Sequence, residues 1–533
     1  MYPRVKRGGS PAAPHDYLQI VAGYREGGRV KQRVVANLGR LDKLLRDGSL
    51  DGLLKGLGRF SEQLKVIERA RLPEVTKCQA KLWGPVLVFR RLWGEQGLPG
   101  MLDALAAKRR FRFDVERVCF ALALQRLIEP GSDLQGSSWM SRVVGLEGIE
   151  LQQLYRTCTF LAENRERIER ELFLRERTLF DSSVDLVFFD TTSTYFEGRS
   201  SLLKRYGFSK DHRPDRVQIV VGVVMSRDGW PLACEVLPGN QADVKAVAGL
   251  IRLLKGRFQL GRVILVADRG FVSSENLGAL AQAELEYIMG ARLRQCREIR
   301  ETVLRRADGY EKVSDNLQVQ EVVIEDRRYV VCLNPAEAVR DAEERAALLA
   351  ALAKHLAAGG PKSLLGNRGY ARYLKVARAS VAIDPDKVAS DAQFDGKYVL
   401  QTNTALGAAE TAQAYRSLWQ VERAFREIKS TLAVRPVFHR RDVNIIGHVF
   451  GAFLALRLEV ALQKKLAAKG WKLSWPSLLG DLAALKAVQI TLDGRSYTIR
   501  TELEGDCYKG FQAVGLRPPG RVQLEDSPEM LCH

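Results

Sequence analysis

The amino-acid sequence predicts a multidomain α+β protein, in which a mixed α/β core is interrupted by a β-rich insertion and preceded by a helical region. Three observations support this class. The chain of 533 residues is long enough for several domains. Apolar stripes at helical spacing dominate residues 59–180, whereas strand and helix patterns alternate over residues 181–294. A further group of alternating strand patterns at residues 295–405 interrupts that succession.

The first 58 residues are predicted to form a basic β-hairpin region. Residues 1–50 hold ten Lys or Arg and four Asp or Glu, a net charge of +6. The stretch DYLQIVAGYREGGRVKQRVVANLG predicts two strands joined by a Gly-Gly turn. Such a hairpin suits contact with DNA, and a basic arm without a specific role has the same composition.

The helical region at residues 59–180 contains three segments whose apolar side chains recur with the period of a helix. These segments are KLWGPVLVFRRLWGEQGL, DVERVCFALALQRLIEP and LQQLYRTCTFLAENRERIERELFLRER. The turn residues of EPGSD predict one break between them.

The core begins with three strands, followed by a helix, a strand, a helix and a strand. The segments are VDLVFFDTTSTYFE, VQIVVGVVMSRDG, WPLACEVLPGN, ADVKAVAGLIRLLKGRF, RVILVADRG, SSENLGALAQAE and LEYIMGARL. Ser274 is the expected N-cap of the second helix. This succession predicts a mixed sheet with helices packed against it. After the insertion, residues 406–465 supply the second part of the core, and residues 466–533 form a C-terminal region with a predicted hairpin, AVQITLDGRSYTIR.

Charge and cysteine usage restrict the function classes. The formal net charge is +19 and the isoelectric point about 9.6, which indicates a polyanionic partner, most often nucleic acid. The eight cysteines form no CxxC pair and do not cluster with the six histidines, so neither a zinc site nor a disulfide framework is expected. No apolar signal segment follows the N-terminus, and the apolar run VFGAFLALRLEVAL is short and carries Arg457. We therefore expect a cytoplasmic protein without a membrane span.

Two predicted core strands end in aspartates, Asp190 after LVFF and Asp268 after VILVA. A carboxylate at the end of a buried strand is costly unless it is paired or binds a metal ion. The segment YRSLWQVERAFREIKS predicts one amphipathic helix with a buried seam of Leu418, Val421, Phe425, Ile428 and Leu432. On that helix, Tyr415, Glu422 and Lys429 are seven residues apart, about two turns, and fall on one line beside the seam.

Each feature alone has an ordinary structural explanation. The aspartates suit turn or N-cap positions, and Glu422 suits a solvated charged face on which it pairs with Arg426. Taken with the basic charge, three carboxylates instead predict a site for two Mg²⁺ or Mn²⁺ ions that support phosphoryl transfer.

The motifs FFDTTSTYFEG, LVADRGFVSSENL and YRSLWQVERAFREIKS, in this order, resemble the three acidic motifs of DDE transposases from bacterial insertion sequences. The third motif is similar to the Tyr, Arg, Glu, Lys signature of the insertion-sequence-four type. VLPGNQADV, FDGKYVLQTN and GYREGGRVKQRVVANLG also resemble segments of that family, so the resemblance covers nearly the whole chain. It implies a ribonuclease H-like core with a β-rich insertion between the second Asp and the Glu.

The resemblance assigns Asp190, Asp268 and Glu422 to the metal-binding catalytic triad, and Tyr415 and Lys429 to DNA-phosphate contacts. The signature Arg is expected three residues after Tyr415, where this chain has Leu418. Other cations are therefore candidates for phosphate contacts: Arg416, Arg423, Arg426 and, after the second aspartate, Arg269. Trp419 is a candidate for stacking on an extruded DNA base. His439 and His448 are expected to be packing or surface residues.

The function implied is binding of the terminal inverted repeats of an insertion sequence, cleavage of the ends, and transfer of the 3′-hydroxyl strands to target DNA. A homodimer would hold the two ends together, and the enzyme would work in the bacterial cytoplasm, associated with the nucleoid. The N-terminal hairpin and the helical region would recognise the ends. A catalytically inactive, domesticated DNA-binding protein is the alternative. A glycosidase with paired carboxylates is a third class, which the positive charge disfavours.

Overall fold

The computed structural model describes residues 1–10, 13–26, 29–47, 49–58, 60, 80–176, 185–196, 200–207, 209, 213–241, 249–250, 256–258, 263–306, 309–357, 368–377, 380–426, 439–492 and 495–524. The chain divides into two compact units. The first unit comprises Met1–Trp83, Ala484–Glu504 and Arg517–His533, and the second comprises Gly84–Ala483 and Gly505–Leu516.

A three-stranded antiparallel sheet begins the first unit. Its strands are β1 Tyr2–Ser10, β2 Ala13–Glu26 and β3 Arg29–Arg40, and two helices follow, α1 Leu41–Arg46 and α2 Ser49–Gly58. The predicted hairpin of β2 and β3 is confirmed. Strand β1 was not predicted, because its sequence is mostly polar and basic, although it pairs with β2 from Tyr2↔Val21 onward.

A second sheet of the first unit joins segments that are far apart in the sequence. Its strands are β4 Ala80–Leu82, β16 Lys486–Leu492, β17 Arg495–Arg500 and β18 Val522–Leu524, in the order β18-β17-β16-β4. The predicted hairpin AVQITLDGRSYTIR is confirmed as β16 and β17. Strand β4 is too short to be predicted, and it pairs with β16 through Lys486↔Leu82.

The second unit contains a helical layer around one long buried helix. The helices are α3 Gly84–Glu95, α4 Leu98–Ala106, α5 Val115–Ile128, α6 Asp133–Met140, α7 Leu151–Glu176, α13 Asp442–Ala468, α14 Trp475–Ala484 and α15 Cys507–Ala513. Helix α13 packs against α5 and α7. It is buried on all sides, as its nearly continuous apolar sequence requires.

Among the described residues, α13 alone is long and apolar enough to cross a membrane. However, 89% of its most apolar window is buried inside the protein. This burial is typical of the core helix of a globular domain.

The second unit also contains a nine-stranded mixed sheet. Its strands are β5 Asp185–Tyr195, β6 Gln218–Ser226, β7 Pro231–Pro238, β8 Val263–Ala267, β9 Glu286–Gly290, β10 Glu311–Ser314, β11 Leu317–Ile324, β12 Arg327–Leu333 and β15 Lys397–Thr402. The order is β10-β11-β12-β15-β9-β8-β5-β6-β7. Strands β5, β8 and β9 are parallel, and the other neighbours are antiparallel.

Within the insertion, strands β10 to β12 continue the core sheet, because β15 pairs with β9. The remaining elements are α9 Pro335–Ala357, β13 Leu374–Ala377, β14 Ser380–Ile383 and α10 Pro385–Ala392. They share a small apolar cluster built around Leu352, Tyr373 and Leu374.

The core helix α8 spans Ser274–Gln282, and its N-cap is Ser273 rather than the predicted Ser274. Ser273 has the extended backbone that a cap requires, and its side chain accepts a hydrogen bond from the Asn276 amide. The helix predicted from ADVKAVAGLIRLLKGRF lies mostly outside the described residues.

Candidate active site

Asp190 and Asp268 lie side by side on neighbouring parallel strands. The paired ladder of β5 and β8 runs from Asp185↔Val263 to Phe189↔Ala267, and each aspartate is the next residue along the chain. Neighbouring strands are about 4.8 Å apart, and residues in register on parallel strands point to the same face. The two carboxylates therefore start from adjacent positions on one face of the sheet.

The face opposite these aspartates is apolar. Val187, Phe189, Leu265 and Ala267 belong to one buried cluster that includes Phe271 from the turn after β8. Because side chains alternate along a strand, Asp190 and Asp268 project away from this cluster. Both are half-buried, which avoids the cost of burying the carboxylates in the apolar layer.

The prediction that Asp190 closes its strand is wrong. Strand β5 continues to Tyr195, and its antiparallel pairing with β6 runs through Asp190↔Val223 to Tyr195↔Gln218. The intervening Thr-rich residues suit an extended, buried strand. Only the parallel ladder with β8 ends at this point. Asp268 does follow the end of β8, with an extended backbone, before a short 3₁₀ turn, Arg269–Phe271.

The segment that carries Glu422 forms two helices, α11 Ala408–Arg416 and α12 Trp419–Arg426, and not the single predicted helix. The connecting turn has short-range bonds, from the Leu418 amide to the Tyr415 carbonyl (3.0 Å) and from the Gln420 amide to the Ser417 carbonyl (3.1 Å). The Ser417 hydroxyl also donates to the Gln413 carbonyl (3.2 Å). Serine side chains that bond back to the helix in this way favour a bend.

The predicted apolar seam is confirmed for Leu418, Val421 and Phe425, which are all buried. Its other two members, Ile428 and Leu432, lie outside the described residues, as does the candidate phosphate ligand Lys429. Leu418, three residues after Tyr415, is therefore a packing residue.

Tyr415 links the second aspartate to the helix pair. Its hydroxyl donates a hydrogen bond to Asp268 Oδ1 at 3.2 Å. Burial raises the pKa of Tyr415 well above its ordinary value, and the negative charges of Asp268 and, more weakly, Glu422 act in the same direction. Glu422 is exposed on α12, which packs on β5 and β6. The structure thus gathers the three predicted carboxylates around one region of the sheet, although their oxygens do not all lie within 4.8 Å of one another.

Gly290, at the end of β9, leaves room for the Tyr415 hydroxyl. A Cβ atom at this position would overlap the Tyr415 oxygen. We therefore expect Gly290→Ala to displace that hydroxyl from Asp268, and Tyr415→Phe to remove it. A hydrogen bond to a charged group contributes about 1.5–3 kcal/mol, so each change should slow DNA cleavage roughly 10- to 100-fold.

The measurement is the single-turnover cleavage rate of both variants and of their double variant. Because both changes remove one hydrogen bond, the double variant should be about as slow as the slower single variant. Multiplicative losses in the double variant would show that the two residues act independently.

Four of the predicted DNA-phosphate ligands that the structure describes are exposed cations, whereas Tyr415 is half-buried. Arg269 follows Asp268, and its charge acts on Tyr415. Arg416, Arg423 and Arg426 lie on the two helices and are exposed, and Arg423 also donates to Gln463 on α13.

Trp419, the candidate base-stacking residue, is 54% exposed. It lines a cavity of about 350 Å³ between α12, α13 and the turn that joins β6 to β7. An exposed indole at the mouth of a cavity is available to a ligand, whereas a core tryptophan is not.

Sequence analysis missed a buried polar cluster of Asp133, His439 and His448, whose potential ligand atoms lie within 4.8 Å of one another. The Arg126 guanidinium donates to Asp133 Oδ1 (3.0 Å) and contacts His448 Nδ1 (3.1 Å). Arg126 therefore already bonds to two of the three potential ligand residues, Asp133 and His448. We interpret the cluster as a hydrogen-bonded link between α6 and α13, which agrees with the packing role expected for the two histidines. No local sequence pattern predicts this cluster, because Asp133 and the two histidines are more than 300 residues apart.

This cluster predicts a pH dependence of stability. Burial lowers the pKa of His439 below its ordinary value of 6.5, although Asp133 opposes the shift. The unfolded chain then binds the proton more readily than the folded chain, so the stabilisation is present above about pH 6.5 and is lost as the pH falls. We expect the melting temperature to drop on acidification, and to drop less in His439→Asn. An equal drop in both proteins would contradict this assignment.

The second unit thus presents a candidate acidic centre, made of Asp190, Asp268 and Glu422, on a mixed sheet. Residues 184–458 match the family model described as "Transposase DDE domain". Residues 5–70 match the model "IS1634 family transposase, N-terminal domain". The chain belongs to the DDE transposase family. It is a DNA transposase of an insertion-sequence family, and a metal-dependent DNA-cleaving enzyme.

Among solved structures, the chain is similar to that of the piggyBac transposase synaptic complex with hairpin DNA. The identity is 11% and the TM-score 0.36, over 75% of this chain and 79% of the other. No curated protein matches the sequence.

Proposed function

We propose that this transposase is of the insertion-sequence-four type and has a ribonuclease H-like core. The spacing of Tyr415 and Glu422 supports the type, and strand order supports the core. In the order β7-β6-β5-β8-β9, the first three strands are antiparallel and the last three are parallel. The enzyme binds the terminal inverted repeats of its element, cleaves the ends and transfers the 3′-hydroxyl strands to target DNA.

The observation that carries this proposal is that Asp190 and Asp268 are adjacent on neighbouring strands. The Tyr415 hydroxyl donates to Asp268, and the helix of Glu422 follows Tyr415 in the chain. Carboxylate oxygens are the ligands that Mg²⁺ and Mn²⁺ prefer, so Asp190, Asp268 and Glu422 suit two such ions. When bound, the ions would activate a water or 3′-hydroxyl and neutralise charge on the phosphate. The Tyr415 hydroxyl holds the Asp268 carboxylate in one orientation. The exposure of Glu422 leaves its carboxylate accessible to DNA-bound metal.

In this proposal, DNA phosphates are held by five cations of the second and third acidic motifs: Arg269, Arg416, Arg423, Arg426 and Lys429. Tyr415 is the further phosphate ligand, and because its hydroxyl has one hydrogen, a phosphate contact replaces its bond to Asp268 when DNA binds. Such contacts position a strand without reading its sequence. Trp419 stacks on an extruded base, which its exposure beside a cavity supports.

We further propose the domain boundaries inferred from sequence. Residues 1–58 and 59–180 recognise the ends, 181–294 and 406–465 form the catalytic core, 295–405 form the insertion, and 466–533 form the C-terminal region. Two ends must be held together, so the active complex is a homodimer. It acts in the cytoplasm, on nucleoid DNA.

The test uses a labelled duplex that carries the inverted repeat flanking the gene, with the native chain in Mg²⁺ and in EDTA. Cleavage that requires Mg²⁺ supports the proposal. Binding without cleavage under every metal condition would favour the alternative, a catalytically inactive DNA-binding protein. Absence of binding to the repeat would contradict both.

A further inference from the structure

The second unit also contains a large basic cleft that begins at Asp268. The cleft has a volume of about 1030 Å³ and follows the end of β9 and the start of β15 toward the insertion. Its charged lining residues are four cations and two acids: Arg269, Arg292, Arg294, Lys397, Asp268 and Asp341. Positive charge therefore predominates in a groove that opens directly onto the acidic centre.

The cations of this cleft differ in whether the protein neutralises them. Arg294 pairs with Asp391 and lies over the Phe394 ring, 5.2 Å from its centroid. By contrast, Arg269, Arg292 and Lys397 make no ion pair and no side-chain hydrogen bond within the part of the chain that the structure describes. Unneutralised charges gathered in one cleft are repulsive, and an anionic ligand would relieve that repulsion.

Backbone pairing fixes the places of Arg292 and Lys397. Strands β9 and β15 pair through Leu400↔Gly290, and the Ala291 amide donates to the Val399 carbonyl at 2.7 Å. Arg292 thus follows the end of one paired strand, and Lys397 begins the other. Gly290, which accommodates Tyr415 beside Asp268, belongs to the same strand end. Asp268 follows β8, so Arg292 is one strand away from this carboxylate and Lys397 is two strands away.

We propose that this cleft holds the sugar–phosphate backbone of the DNA strand that leads into the active centre, with Arg292 and Lys397 each contacting a phosphate. The inference rests on the proposed function, because it takes DNA as the substrate. Lys397 of the insertion and Arg292 of the core together align the DNA strand at Asp268. Phosphate contacts add salt-dependent affinity without sequence preference.

The experiment measures binding of the native chain and of the double variant Arg292→Gln/Lys397→Gln to a fluorescent terminal-repeat duplex, over a range of salt concentrations in EDTA. The slope of log K against log[salt] is negative, and each lost phosphate contact lowers its magnitude by about 0.9. We expect the magnitude to fall by about 2 and the affinity at about 0.1 M salt to fall roughly 10- to 60-fold. Each single variant should show about half of the change in slope, so the proposal stays testable if the double variant fails to fold.

The matched control is Arg297→Gln. Arg297 lies in the same segment and is 82% exposed, but it pairs with Glu301 at 2.7 Å and does not line the cleft. The slope of log K against log[salt] for Arg297→Gln should equal that of the native chain. An unchanged slope in the cleft variants, or an equal fall in Arg297→Gln, would overturn the proposal.

Cleavage rates in Mg²⁺ at saturating DNA separate this proposal from the proposed function. Because the carboxylates are intact in the cleft variants, their cleavage should still require Mg²⁺, and the DNA concentration needed for half-maximal rate should rise. If the native chain does not cleave the DNA in Mg²⁺, the proposed function is refuted, but the binding measured in EDTA still tests the phosphate contacts. A fall in maximal rate without a change in salt slope would refute the phosphate role.

Discussion

Replacing Glu422 by Gln, or Asp190 by Asn, should abolish metal-dependent DNA cleavage while leaving the affinity for the terminal repeat within a few-fold of native. Both changes keep the shape of the side chain and remove the negative charge that holds the metal ions. Metal ions contribute several kcal/mol of transition-state stabilisation, so the cleavage rate should fall by at least about 10³-fold. The measurement is single-turnover cleavage in Mg²⁺ beside binding in EDTA.

Glu410→Gln provides the matched control. Glu410 lies on α11 near Tyr415 and accepts a hydrogen bond from the Gly407 amide, which a glutamine can also accept. Its cleavage rate should stay close to the native rate. Cleavage by Glu422→Gln at the native rate would remove Glu422 from the triad, and loss of binding in the same variant would indicate a structural role.

Arg457→Met should strongly destabilise the second unit. Arg457 is 1% exposed on α13, and its guanidinium donates to Gln96, to the Pro231 carbonyl and to the Glu176 carboxylate. Removing it leaves a half-buried carboxylate and a buried carbonyl without their partner. Breaking a buried ion pair on one side costs about 3–5 kcal/mol of unfolding free energy. The measurement is the shift in the urea midpoint, followed by intrinsic fluorescence.

Lys465→Met, eight residues later on the same helix, separates the effect of burial from that of charge. Lys465 pairs with Glu95 at 3.1 Å, and both side chains are about one-third exposed. Partly exposed pairs contribute about 0–1 kcal/mol, so this variant should unfold close to the native midpoint. A large shift of the urea midpoint in Lys465→Met, or a small one in Arg457→Met, would contradict this prediction. It would show that the burial of Arg457 does not determine how much this residue contributes to the unfolding free energy.

The strands around the site could be predicted because their apolar runs are long and unambiguous, as in VFF before Asp190 and VILVA before Asp268. The end of β5 could not be predicted from its own sequence. The strand continues past Asp190 because β6 pairs with it on both sides of that residue. Strand ends depend on partners that lie elsewhere in the sequence. A local pattern of alternating residues cannot reveal them.

The helix of Glu422 illustrates a different limit. Its apolar seam was predicted correctly at Leu418, Val421 and Phe425. The break at Ser417 depends on a few short-range hydrogen bonds that a periodic pattern does not encode. The buried Asp133 and His448 pair escaped prediction for the same reason as β4: their partners are hundreds of residues away, and only the tertiary fold brings them together.

The pairing of β9 with β15 has a consequence for how this chain can be altered by evolution or engineering. An insertion joined by loops alone can be excised or exchanged as a module. Here, removal of β10 to β12 together with β15 would expose the hydrogen-bonding edge of β9, the strand that ends beside Tyr415. An exposed edge strand invites pairing with other chains and aggregation. Any shortened relative of this protein must therefore cover that edge with another strand, a helix or a second molecule.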